Sequence, residues 1–185
     1  MSERKPLLFF PHWSWKIPES AFKEYECVGF HMTDLPYGRG GSPLQNLIAC
    51  GKKKTVVSAF EITSGIDAGG IYLKRALSLK GSADEIYRRC ASLILEEMIP
   101  YIVKHKPKPK PQKGKATLFK RRTPAMSKIE NLKSLPKLYD FIRMLDAPNY
   151  PKAFLEEGAF RFEFNNAVIK EGTIYASVQI RLKTL

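Results

Sequence analysis

Between His31 and Gln45 the chain sets two prolines and three glycines around a histidine, in the order His31-Met32-Thr33-Asp34-Leu35-Pro36-Tyr37-Gly38-Arg39-Gly40-Gly41-Ser42-Pro43-Leu44-Gln45. So dense a run of turn formers continues neither a strand nor a helix, and it must join two regular elements. Before it, Cys27-Val28-Gly29-Phe30 reads as a short buried strand; after it, Ser42 supplies an N-cap and Pro43 the first helical position. His31 therefore stands at the carboxyl end of a strand, where open α/β sheets bind ligands. The loop after the next strand, Gly65-Ile66-Asp67-Ala68-Gly69-Gly70, carries an acid. A histidine and an aspartate on two strand-end loops point to one shared site. Taken singly, each has a plainer reading as a hydrogen-bonded turn residue.

The rest of the pattern is α/β and then changes character. Strands are expected at residues 7–10, 27–30, 56–62 and 71–79, the last antiparallel after Gly69-Gly70, with helices at 18–25 and at 42–50, where Gly51 stops the helix. Ser82-Ala83-Asp84-Glu85 is a capping box that opens a longer helix. Ile86, Cys90, Leu93, Glu97 or Met98, and Tyr101 mark its core face, and Pro100 should kink or end it. Further on, residues 134–145 read as an amphipathic helix. Phe160, Phe162 and Phe164 alternate along a strand that turns at Lys170-Glu171-Gly172 and returns over 174–180. This divides the chain into an α/β domain over 1–103, a basic segment over 104–127 and a small helix-and-β-hairpin appendage over 128–185.

Of the formal net charge of +13, nine charges fall between Lys104 and Arg122, a stretch with no acid. Lysine alternates with proline from Lys106 to Pro111, which favours an extended, polyproline-like linker. A solvated, self-repelling linker is one reading of residues 104–115; Lys120, Arg121 and Arg122 equally suit phosphate groups held near the protein body. Cys27, Cys50 and Cys90 form no CxxC pair, so neither a disulfide framework nor a zinc site is indicated. The charged residues 1–5 lead into no h-region, and the apolar run 7–10 is too short to span a membrane; a cytoplasmic location is expected.

The pattern His31-x-Thr33-x-Leu35-Pro36 with Arg39-Gly40, Pro43 and Gln45, followed by Asp67-Ala68-Gly69, resembles the folate-dependent formyltransferases. The resemblance continues in Pro111-Gln112, in residues 116–119, and in the run from Ile142 through Tyr150-Pro151 to Phe154, which is similar to the start of that family's carboxyl-terminal domain. It implies a Rossmann-like formyltransferase domain, here lacking its first βα unit or units, with the appendage as an OB-like remnant. The missing unit implies either a fragment or a reduced protein whose exposed sheet edge pairs with another chain, for instance in a homo-oligomer. It also implies 10-formyltetrahydrofolate as donor, with no metal. Phe10, Pro11, Trp13, Ser58, Phe60, Ile66 and Asp67 would then flank the pterin. Thr33, Arg39, Gly40, Lys120, Arg121 and Arg122 would hold the substrate.

In formyl transfer a neutral amine attacks the formyl carbon, an oxyanion develops and the amine loses a proton. A protonated His31 would stabilise the oxyanion, and Asp67 would favour that state and accept or relay the proton. Where the family carries an asparagine two residues before the histidine, this chain has Gly29. His12, at the end of the neighbouring strand, is either a substitute donor or a structural histidine among Pro11, Trp13 and Trp15. A phosphate-bearing amine, above all a nucleotide-linked amino sugar, is the first expectation for the acceptor, with methionyl-tRNA second. A non-catalytic remnant of the family and a nonspecific nucleic-acid binder are the readings outside enzymology.

Overall fold

The computed structural model describes residues 5–183; the start of the chain, residues 1–4, on which part of the leader reading rests, lies outside the described residues. In chain order the elements are β1 (Leu7–Phe10), α1 (Glu19–Glu24), β2 (Glu26–His31), β3 (Arg39–Gly40), α2 (Pro43–Ala49), β4 (Lys54–Glu61), β5 (Ile71–Ser78), α3 (Ala83–Ser92), a π-helical turn (Leu93–Met98), α4 (Ile99–His105), β6 (Leu118–Phe119), a 3₁₀ turn (Pro124–Ser127), α5 (Leu135–Met144), β7 (Ala153–Glu157), β8 (Phe160–Lys170) and β9 (Thr173–Leu182). They form two compact units that cut across sequence order. The first takes the chain to Pro43 with 54–78 and 88–120; the second takes 44–53, 79–87 and the chain from Arg121 on. The basic stretch is accordingly divided between Lys120 and Arg121.

The sheet of the first unit has the order β1-β2-β4-β5. β1 and β2 are parallel, but β4 runs antiparallel to β2 and β5 antiparallel to β4. The antiparallel β5 agrees with the expectation from Gly69-Gly70, whereas the reversal of β4 against β2 was not foreseen, because hydrophobic periodicity carries no information about strand direction. The reversal matters for the site. Val28 pairs with Glu61 and His31 with Ser58, so the end of β4 lies level with the beginning of β2, roughly 10 Å down the strand from His31. A loop leaving β4 must therefore fold back along the sheet to approach His31.

Inside this unit Val28, Val57, Ala59, Leu73 and Leu77 are buried. The helix continues through Pro100 rather than ending there: the six-residue π turn just before α4 makes i→i+5 hydrogen bonds and so tolerates a residue without an N–H. The same turn shifts the buried face. Cys90, Ile94, Met98 and Ile102 are buried at strict four-residue intervals, whereas the expected Tyr101 is exposed.

The second unit contains a three-stranded antiparallel sheet, β7-β8-β9, where a single hairpin was expected. β7 pairs with β8 from Ala153↔Phe164 to Glu157↔Phe160. β8 turns into β9 at Glu171 and Gly172, both at positive φ (48° and 71°), the backbone a two-residue type I′ turn requires. The capping box forms: Ser82 N–H donates to Glu85 Oε2 (2.7 Å) and Glu85 N–H to Ser82 Oγ (3.3 Å). Arg143 is buried, donating from Nη1 to the Leu79 and Gly81 carbonyls and from Nε to Asp140 Oδ1.

Candidate active site

The loop after β2 is held from several sides. Ser58, buried on β4, donates Oγ–H to the Thr33 carbonyl (2.7 Å), and Lys74 on β5 reaches Asp34 Oδ1 (2.5 Å) and the Leu35 carbonyl (2.6 Å). Gly38 N–H donates to Thr117 Oγ1 (2.7 Å), and β3 then pairs in parallel with β6. Gly40 is required at that pairing: φ is +96°, and a Cβ would lie 2.7 Å from the Phe119 carbonyl oxygen. Ser42, expected as the N-cap, precedes α2 at φ 49°, outside the extended region usual for that position.

His31 ends β2 and is 8% exposed. Its Nε2 lies 2.8 Å from the Gly38 carbonyl oxygen, a partner that only accepts, so Nε2 carries a proton and donates. Nδ1 faces Asp67 Oδ2 at 3.6 Å, an ion-pair separation rather than a hydrogen bond. The same Oδ2 accepts the Gly40 N–H at 2.8 Å. One carboxylate oxygen thus joins the two loops for which a shared site was expected.

Asp67 gets there by a constrained route. Gly69 packs so tightly against β4 that a Cβ would stand 1.8 Å from the Glu61 carbonyl oxygen, and Asp67 itself sits at φ 47°. Gln112 supports this loop. Its Nε2 donates to the Asp67 and Gly69 carbonyls, 2.8 Å each, while its Oε1 accepts from Arg39 Nε (3.2 Å) and Nη2 (2.7 Å). Gln112 was not among the expected site residues: Pro111-Gln112 carried part of the family resemblance, but composition and spacing gave the amide no role. Nor is its surrounding segment the loose linker that composition favours: Lys110 N–H donates to the Ile71 carbonyl (2.9 Å) and Ile71 N–H to the Lys110 carbonyl (2.7 Å). Those backbone bonds outweigh the repulsion among the exposed lysine side chains.

The remaining candidates separate into two groups. Phe10, Pro11 and Trp13 follow or end β1, whose register sets Phe10 opposite Gly29, and so they lie at the His31 end of the sheet. Trp13 is 56% exposed with its ring edge-on to Phe10, and Ile66 is 72% exposed beside Asp67. His12 leaves the same strand at φ 52° and is exposed as a residue, though partial desolvation of its ring lowers its pKa below the usual imidazole value. Thr33 and Ser58, by contrast, are fully buried and build the loop, so neither presents a side chain to a ligand. Arg39 and Gly40 have the partners given above. Arg122 donates Nη2 to the Met126 carbonyl, lies over the Phe141 ring in the second unit, and has its pKa lowered chiefly by burial. Lys120 and Arg121 are exposed.

Gly29 has a partner of its own. A Cβ there would meet the buried Phe60 ring at 2.8 Å and Ile62 Cγ1 at 3.2 Å. The space an asparagine side chain would enter is filled by Phe60. Among the described residues no cluster of three or more His, Cys, Asp or Glu is arranged to hold a metal ion, and no helix is long and apolar enough to cross a membrane.

Residues 124–181 match the family model of the methionyl-tRNA formyltransferase carboxyl-terminal domain. The methionyl-tRNA formyltransferase of Rickettsia prowazekii is 40% identical over 79 residues, which are 42% of this chain and 26% of that protein; the match thus spans about a quarter of the relative's length. The solved methionyl-tRNA formyltransferase from Clostridium thermocellum superposes with a TM-score of 0.93 at 50% identity, over 96% of this chain and 78% of that one. HypX from Aquifex aeolicus in complex with tetrahydrofolic acid shares the fold at 19% identity, with a TM-score of 0.69 over 87% of this chain and 29% of that one.

Proposed function

Because the chain belongs to the folate-dependent formyltransferase family, we propose that it moves a formyl group from 10-formyltetrahydrofolate to the α-amino group of methionyl-tRNA. The observation that carries this reading is the Asp67–His31 contact, in which a carboxylate reaches a buried imidazole by an otherwise unfavourable loop path. The exposed apolar side chains of Trp13, beyond the end of β1, and of Ile66, next to Asp67 in sequence, suit a flat heteroaromatic ring. When bound, the donor supplies the formyl carbon on N10.

The chain's own groups then divide the proton work. Asp67 Oδ2 is engaged by Gly40 and faces His31, which leaves Oδ1 to take the proton of the attacking amine. As the new C–N bond forms and the bond to N10 breaks, that proton passes to N10, so the carboxylate is regenerated. His31 has one proton fixed on Nε2 by Gly38; a second on Nδ1 makes an ion pair with Asp67 and offers positive charge beside the developing oxyanion. His12, at the end of the adjacent parallel strand and with its pKa lowered by desolvation, is the candidate N–H donor in place of the absent asparagine.

The choice of acceptor reverses the first expectation from sequence. A nucleotide-linked sugar would need cations for its diphosphate, and of the four expected for it Arg39 is bound to Gln112 and Arg122 to the Met126 carbonyl and the Phe141 ring, with only Lys120 and Arg121 exposed. The exposed lysines of residues 104–115 suit an extended phosphate backbone instead. Purified protein is to be incubated with labelled donor and either methionyl-tRNA or nucleotide-linked amino sugars. Formyl-methionyl-tRNA is the expected product, with tRNA affinity falling steeply as salt rises. A product only with the sugars overturns the acceptor, and no product with any amine overturns the enzymatic reading.

A further inference from the structure

We infer that Gln112 is a positioning residue for Asp67, setting the carboxylate against His31 from a segment that composition alone marks as linker. The inference rests on the formyltransferase reading and deepens it. All of the hydrogen-bonding groups of this amide are committed: both Nε2 hydrogens go to carbonyls of the acidic loop, and Oε1 takes two donors of Arg39. Arg39 lies on β3 next to Gly40, whose N–H holds the Asp67 carboxylate. The main chain of Asp67 and its side chain are therefore fixed by two neighbouring contacts, one through Gln112 and one through Gly40.

The need for such support is local. Asp67 at φ 47° lies in the left-handed region, which a residue with a Cβ holds only when its surroundings impose it. Gly69 provides close packing on Glu61 but no side-chain anchor. Gln112 is itself held, two residues from the paired Lys110–Ile71 backbone bonds. An amide is the group that suits the place. A carboxylate there would accept from Arg39 but could not donate to the two carbonyls, and would set negative charge beside Asp67; alanine would release both sides.

The test uses Gln112→Ala and Gln112→Glu in the full chain, with Asp67→Asn as reference, and reads two quantities. The first is formyl transfer: kcat should fall on the order of 10- to 100-fold in both Gln112 variants, with KM for the donor within about twofold, as expected for a carboxylate displaced by about an ångström. The second is the nitrogen chemical shift of His31 Nδ1 at neutral pH, resolved among three histidines. It should move in both Gln112 variants in the direction seen in Asp67→Asn, while the His12 and His105 signals stay in place. A His31 signal that moves in Asp67→Asn but not in the Gln112 variants overturns the role of Gln112. A signal unmoved even in Asp67→Asn removes the Asp67–His31 coupling on which the functional reading stands. If the alanine variant does not fold, the glutamate variant, which keeps the Arg39 contact, distinguishes the same two outcomes.

Discussion

Asp67 Oδ2 stands 3.6 Å from His31 Nδ1 although the strands that carry their loops run antiparallel. In a parallel sheet both loops would emerge at the same end and the contact would need no further explanation. Here the loop after β4 returns along the sheet, and a glycine packed on backbone, a left-handed aspartate and an amide from a third segment together hold it. The site is built by loop chemistry more than by sheet topology.

Gly69 is the position where that construction is least tolerant. Gly69→Ala places a methyl group 1.8 Å from the Glu61 carbonyl, so the loop must lift off β4 and take Asp67 with it. Formyl transfer should drop about 100-fold, while far-ultraviolet circular dichroism stays that of the parent. Activity within twofold of the parent would mean that Asp67 reaches the site by another path.

Gly29 and Phe60 should behave as a coupled pair. Gly29→Asn forces the Phe60 ring aside and should lower stability by about 1–3 kcal/mol through overpacking. In a chain already carrying Phe60→Ala the same substitution should cost distinctly less. Urea unfolding midpoints of the four proteins measure this, and equal costs in both backgrounds would refute the pairing.

His12 gives stability a pH dependence of known sign. Its pKa in the folded state lies below 6.5, so the unfolded chain binds this proton more readily. The resulting stability is present above 6.5 and is lost as pH falls through the folded value. His12→Gln should flatten this part of the curve when urea midpoints are compared from about pH 8 to about pH 5. An unchanged slope would show that the ring is not desolvated.

The three free cysteines differ in access. Burial pushes the Cys90 thiol up to about 12 and also raises Cys27, whereas Cys50 is exposed. A disulfide reagent at about pH 8 should titrate one thiol quickly in the native protein and all three in denaturant. Fast reaction of two or more in the native state would contradict the burial of Cys27 and Cys90.

Much of this was legible in the residues. The His31 and Asp67 loops, the Ser82–Glu85 box and the Lys170-Glu171-Gly172 turn rest on local rules of capping and left-handed backbone, and local rules read directly from sequence. Three features were not. The direction of β4 depends on long-range pairing, the passage of the helix through Pro100 depends on a π turn with no residue signature, and the Gln112 clamp depends on three segments distant in the chain. Nor could the sequence show that Arg39 and Arg122 have protein partners, since a basic side chain does not announce the oxygens and rings beside it.

The most direct test is transfer of labelled formyl from 10-formyltetrahydrofolate to methionyl-tRNA by the parent chain and by Asp67→Asn, under single-turnover conditions. The account predicts transfer by the parent and a rate at least about 100-fold lower in the variant, with donor binding retained. Equal rates in the two proteins, or no transfer by the parent, would contradict it.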